Sequence, residues 1–112
     1  MTDCLFCRIV AGDVPATVVA EHGRTLAFRD VAPQAPTHVL VVPRDHHADL
    51  AACAEADPSL LGELLVAATD VARSEGLTGG YRLITNTGPD AGQTVHHLHV
   101  HVLGGRPLRG LG

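Results

Sequence analysis

The chain has 112 residues, 46% of them hydrophobic, and a formal charge of −4 with histidines neutral. That length sets a single domain over 1–112 with a real core, and the apolar content excludes a disordered chain. The acidic balance excludes a general nucleic-acid binder, and no apolar run approaches the ~18 residues of a membrane span.

The start, Met1-Thr2-Asp3-Cys4, lacks the basic and apolar regions of a secretion signal, so the cytoplasm is the expected compartment. Three cysteines, an odd number, argue against a disulfide framework and for metal ligation or burial. Leu5, Phe6, Ile9 and Val10 then follow helical spacing, and Gly12-Asp13-Val14-Pro15 stops that short helix. Strands are predicted from Thr17 to Glu21 and from Thr25 to Arg29, joined through His22-Gly23-Arg24 as a hairpin. Asp30 to Pro36 reads as a loop, and His38-Val39-Leu40-Val41-Val42 as a central strand stopped by Pro43. The long helix lies between Pro58 and Glu75, with Asp57 as N-cap, Gly76 as stop, and a stripe from Leu60 to Ala72. Cys53, in an alanine-rich stretch, reads as packing. Tyr81 to Asn86 is a further strand, Thr87 to Gln93 a turn-rich loop, and Val95 to Leu103 the last strand. The expected fold is α+β: a five-stranded antiparallel sheet with one long and one short helix.

Eight histidines are present, four of them between His96 and His101. Alternation in a strand puts His97, His99 and His101 on one face and Leu98, Val100 and Val102 on the other. The three imidazoles are therefore expected to point outward from an apolar support. Their Cα atoms are spaced ~6.6 Å and ~13 Å along a strand, so the three cannot converge on one ion. The bland alternative is a row of solvent-facing histidines. Gly88-Pro89-Asp90-Ala91-Gly92-Gln93-Thr94 runs into that strand, and its glycines permit backbone N–H groups to point at an anion. Together the two segments suggest a phosphate cradle beside a nucleophile. Cys4 and Cys7 share one face at the start of the first helix.

The run from Gly92 to Arg106, Gly-Gln-Thr-Val-His-His-Leu-His-Val-His-Val-Leu-Gly-Gly-Arg, resembles the signature of the histidine-triad (HIT) superfamily, in its Hint branch of nucleoside phosphoramidate hydrolases. Leu26 to Asp30, Pro33 to Pro43, Ser59 to Gly62 and Gly80 to Leu83 are similar to it in the same order. The resemblance implies that His99 is the nucleophile and attacks the α-phosphorus of a purine nucleotide (AMP-type), forming a nucleotidyl-histidine that water hydrolyses. His101 would hold phosphate oxygens, and His97 would orient His99 through its backbone. Asn86, Gln93 and Thr94 match phosphate-binding positions, with Thr94 where the family has mostly serine. His38 matches a further active-site histidine; its alternative is a hydrogen-bonded core histidine. Asp30 matches the acceptor of the ribose hydroxyls, against a plain turn-initiating Asp. Leu5, Phe6, Ile9, Phe28 and Val31 match the base slot, although from the residues alone they read as core.

Some bacterial members bind a structural zinc, and the matching ligands are Cys4, Cys7, His46 and His97, with His47 the alternative to His46. Catalysis itself requires no cofactor by this likeness, and two buried thiols are the rival reading. The family also implies a homodimer that joins two sheets. The tail, 106–112, lacks the Trp-Pro ending of eukaryotic relatives. Dinucleoside polyphosphate hydrolysis is the second enzymatic reading; a nucleotide-binding interaction module with negligible turnover is the third.

Overall fold

The computed structural model describes residues 3–110; the readings placed on Met1 and Thr2, and on the last two residues of the tail, lie outside the described residues. Helix α1 (Leu5–Ala11) precedes strands β1 (Val18–His22), β2 (Thr25–Arg29) and β3 (Thr37–Pro43). Helices α2 (Leu50–Ala56) and α3 (Pro58–Ser74) follow, then β4 (Tyr81–Ile84), a 3₁₀ turn (Pro89–Ala91) and β5 (Val100–Gly104). The strands form a five-stranded antiparallel sheet in the order β1-β2-β3-β5-β4, so the α+β expectation holds.

Local chemistry accounts for the elements. Cys4 caps α1 by accepting the Cys7 N–H at its sulfur, and Gly12 ends the helix at φ 83°, a left-handed geometry that suits glycine. Gly23 and Arg24 close the β1–β2 hairpin between the paired His22 and Thr25. Pro58 opens α3, but Asp57 makes no cap bond; its carboxylate binds Arg24 and Ser59 instead. Helix α2 is an addition to the expected pair of helices. Asp49 caps it, accepting the Ala52 N–H at 2.8 Å, and its alanines supply the propensity.

β5 begins at Val100 rather than Val95. Its partner explains the shortening. Val41 pairs with Val100, so continuing the register puts Pro43 opposite Leu98, and proline has no N–H to donate. The Pro43 carbonyl instead accepts a hydrogen bond from the His97 ring, at 2.8 Å. Leu98 turns its N–H to the His47 carbonyl, 2.7 Å away.

The sheet has two covered faces. Ala27, Val39, Val41, Val100 and Val102 pack with Leu98 under Cys53 of α2 and Leu60, Leu64, Ala68 and Val71 of α3. Each fully buried Leu or Val contributes about 1.5–3 kcal/mol. Leu26, Phe28, Leu40 and Val42 point the other way and pack against Phe6 of α1. His38 shares that second face by alternation with Leu40, and His101 shares it by pairing with Leu40.

Candidate active site

The three imidazoles do lie on the α1 side of the sheet, but they do not stand outward in water as alternation alone suggested. His97 is fully buried, His99 is 8% exposed and His101 is half-buried. Phe6 explains the difference. Its ring meets His99 edge-on, with centroids 5.1 Å apart and planes at 90°, and lies 6.0 Å from His97. Sequence periodicity fixed the face of these side chains and carried no information on what covers it.

Their tautomers follow from partners that can act in one sense alone. A carbonyl accepts, so His97 donates from Nε2 to Pro43 and keeps a bare Nδ1. His99 donates from Nδ1 to the His97 carbonyl, at 2.7 Å, so the neutral ring has its lone pair at Nε2. His38 accepts the Gln34 N–H at Nδ1, at 3.0 Å, so its proton sits on Nε2. That Nε2–H faces His101 Nδ1 at 2.9 Å and Asp30 at 3.4 Å. His101 then accepts at Nδ1 and carries its own proton at Nε2. Its ring centroid lies 5.0 Å from that of His99.

Burial favours the neutral form of His38, His97 and His101. It pushes His38 below the ordinary histidine range, against the pull of Asp30. His101 is pushed down to about 4, by burial first and then by His99 and His38, with Asp30 opposing. His97 also falls, chiefly by burial. Asp30, His38 and His101 are close enough to hold an ion, yet the Gln34 N–H on Nδ1 requires a proton at His38 Nε2. That proton disfavours a metal there.

The remaining positions divide. Phe6 and Phe28 are buried core, Ile9 packs beside them, Leu5 is 46% exposed, and Val31 stands wholly in solvent. Asp30 accepts the Ala32 N–H at 2.8 Å and so does start a turn, while its other oxygen faces His38. Gly88 and Gly92 adopt positive φ in the loop, 86° and 87°. Gln93, however, is spent inside: its side chain binds Ala48, Val95 and Gly88, and its N–H binds the Gly88 carbonyl. Thr94 is exposed. Ile84, the last residue of β4, pairs with His101, and Asn86 follows two residues beyond it.

Cys4, Cys7, His46 and His97 converge. One ligand atom of each lies within 4.8 Å of all the others. Cys4 Sγ is 3.3 Å and Cys7 Sγ 3.5 Å from His97 Nδ1, and Cys7 Sγ is 3.4 Å from His46 Nδ1. Tetrahedral zinc with ordinary Zn–S and Zn–N lengths places such S and N atoms ~3.6 Å apart. The donor set fits that ion, and the Pro43 carbonyl fixes the His97 tautomer that ligation requires. His47 is outside the cluster and contributes its backbone carbonyl to Leu98.

The chain is similar to known proteins in both sequence and fold. The HIT domain profile matches residues 11–108. An uncharacterized HIT-like protein of Synechococcus elongatus is 51% identical over 106 residues, covering 95% of this chain and 93% of its own. A 14 kDa zinc-binding protein of Zea mays is 47% identical over 106 residues, covering 93% and 83%. Among solved structures, a HIT family hydrolase from Clostridium thermocellum superposes with a TM-score of 0.93 at 41% identity, covering 99% and 97%. A zinc-bound histidine triad family protein from Mycobacterium smegmatis gives 0.83 at 34%, covering 93% and 76%. A histidine triad nucleotide-binding protein from Candida albicans gives 0.82 at 28%, covering 98% and 87%. A profile match over most of the chain and relatives near half identical along its length place the protein in the HIT domain family.

Proposed function

We propose that the protein is a hydrolase of purine nucleoside phosphoramidates, cleaving the P–N bond at the α-phosphate. One observation carries the reading: the His97 carbonyl ties up the His99 Nδ1–H and leaves Nε2 as a bare nucleophile, next to His101 held neutral with its own N–H. In the first step Nε2 bonds to phosphorus and the P–N bond breaks, the nitrogen taking a proton from solvent and leaving as the amine. Water then cleaves the nucleotidyl-histidine and restores the ring, its attack returning that proton and splitting one slow displacement into two. His101 Nε2–H binds a phosphate oxygen, Thr94 and Asn86 assist, and Asp30 receives the ribose hydroxyls. Phe28, Ile9, Leu5 and Val31 border the base, which Phe6 separates from the histidines.

Cys4, Cys7, His46 and His97 would hold a structural zinc, with four protein ligands and no open position for substrate. The HIT hydrolase, nucleotide-binding and zinc-bound neighbours support these assignments. A homodimer in the cytoplasm completes the reading. Among the described residues no helix is long and apolar enough to cross a membrane.

The test is a fluorogenic adenosine phosphoramidate. The wild type should turn it over, and His99→Ala should lose about a thousandfold or more, as enzymes do without their nucleophile. Mass spectrometry of a trapped mixture should place an adenylyl group on His99. Equal rates in the two proteins would end the hydrolase reading, and AMP binding without turnover would favour an interaction module.

A further inference from the structure

We infer that Cys4 and Cys7 form a peroxide-reactive modification site whose state controls the nucleotide site. The inference rests on the zinc reading above and adds to it a reaction and a consequence.

The two sulfurs belong to one turn: Cys4 caps α1 and its Sγ accepts the Cys7 N–H at 3.3 Å. Both cysteines are half-buried, and His46 beside them is exposed, so a small oxidant reaches the pair from solvent. Cys53 provides the contrast within the same chain. It is fully buried, and burial pushes its thiol upward, away from the reactive thiolate.

The consequence follows from what else these residues touch. Between the cysteines sits Phe6, whose ring lies edge-on to His99. The third ligand, His97, supplies the carbonyl that holds the His99 Nδ1–H. One cluster therefore bears on two of the contacts that position His99, one through helix α1 and one through the chain two residues before it.

Hydrogen peroxide supplies the chemistry. The two thiolates give up two electrons and form a Cys4–Cys7 disulfide; peroxide takes those electrons with two protons and becomes two waters. With both sulfurs tied up in the disulfide, His46 and His97 would be the only donors left of the four, too few to retain a zinc. His97 Nδ1, in a fully buried ring, is then stripped of its partner, an unfavourable state that relaxes by moving the ring or the first turn of α1. Phe6 and His97 are positioning residues for His99, and both lose their anchor.

The experiment uses the full chain carrying Cys53→Ala, so that the remaining thiols are those of the site. Peroxide should release about one zinc per chain to a colorimetric chelator, and intact mass should fall by the two hydrogens of a disulfide. AMP affinity should weaken about tenfold, the scale of losing support behind a binding group. The His99 Nδ1–H resonance should shift, and dithiothreitol with zinc should reverse every change. His46→Ala, at an exposed ligand, should bind AMP as weakly without peroxide. Cys7→Asp cannot form the disulfide, so whatever zinc and AMP it holds beforehand peroxide should leave unchanged. Zinc loss with unchanged AMP affinity and an unmoved His99 signal would overturn the coupling. Thiols that survive peroxide would overturn the modification site. A chain purified without zinc would refute the metal reading itself, and this inference with it.

Discussion

His101 and His38 are held neutral chiefly by burial, and His99 and His38 make His101 harder still to protonate. The folded His101 titrates at about 4, whereas an unfolded histidine does so at ~6.5. Between those values the unfolded chain binds the extra proton, so stability rises with pH there. The contribution is fully present above about 6.5 and is lost as pH falls through about 4. Thermal unfolding should therefore show Tm falling from pH 7 to pH 4, with a shallower fall in His101→Gln. A slope as steep in that variant would contradict the assignment. The same residues show how far sequence reading reaches. Alternation put His97, His99 and His101 on one face, and the motif singled out His99. The tautomers were not legible, because they depend on the Pro43 and His97 carbonyls and the Gln34 N–H, which folding brings into place. The internal bonds of the Gln93 side chain to Ala48, Val95 and Gly88 were not legible either, since they too depend on segments that folding brings together.

At the scale of elements, α1 is a seven-residue helix, too short to persist unaided, so its position depends on what holds it. Phe6 holds one side, buried against Phe28, Leu26 and Val42, and the cysteine–histidine cluster holds its start. Phe6→Ala should cost about 3–5 kcal/mol in a denaturant titration, the range for emptying an aromatic site in a core. It should also weaken AMP binding by freeing the edge of His99. Removing metal with a chelator should lower Tm while far-UV circular dichroism keeps the sheet, since β2, β3 and β5 are packed by α2 and α3 on the opposite face. A Tm unaffected by chelation would mean that the cluster anchors nothing. The strands and α3 were readable from apolar patterning because their faces are buried. Helix α2 was not: alanines give propensity without a periodic stripe, and its cap, Asp49, looks like any loop aspartate until the Ala52 N–H is seen on it. β5 was read too long because nothing in its own residues reports that Pro43 lies opposite.

For the whole molecule, the sheet ends in two edge strands, β1 and β4. β4 is an edge strand, and beside it α3 leaves Leu65 50% and Val66 61% exposed, with Tyr81 of β4 at 43%. Thr69, Ala72 and Arg73 of α3 line a concavity together with Leu77, Thr78 and Tyr81, where the end of the helix meets the start of β4. An edge strand invites pairing with another chain. Two copies related by a twofold axis would satisfy it, strand against strand and α3 against α3, extending each sheet into the other. Sedimentation of the wild type at micromolar concentration should give twice the chain mass. Val66→Glu, which sets a charge in that apolar surface without touching the histidines, should give the chain mass with circular dichroism unchanged. If both proteins sediment as one chain, the homodimer is wrong. If both sediment as two, the copies meet elsewhere than on α3 and β4.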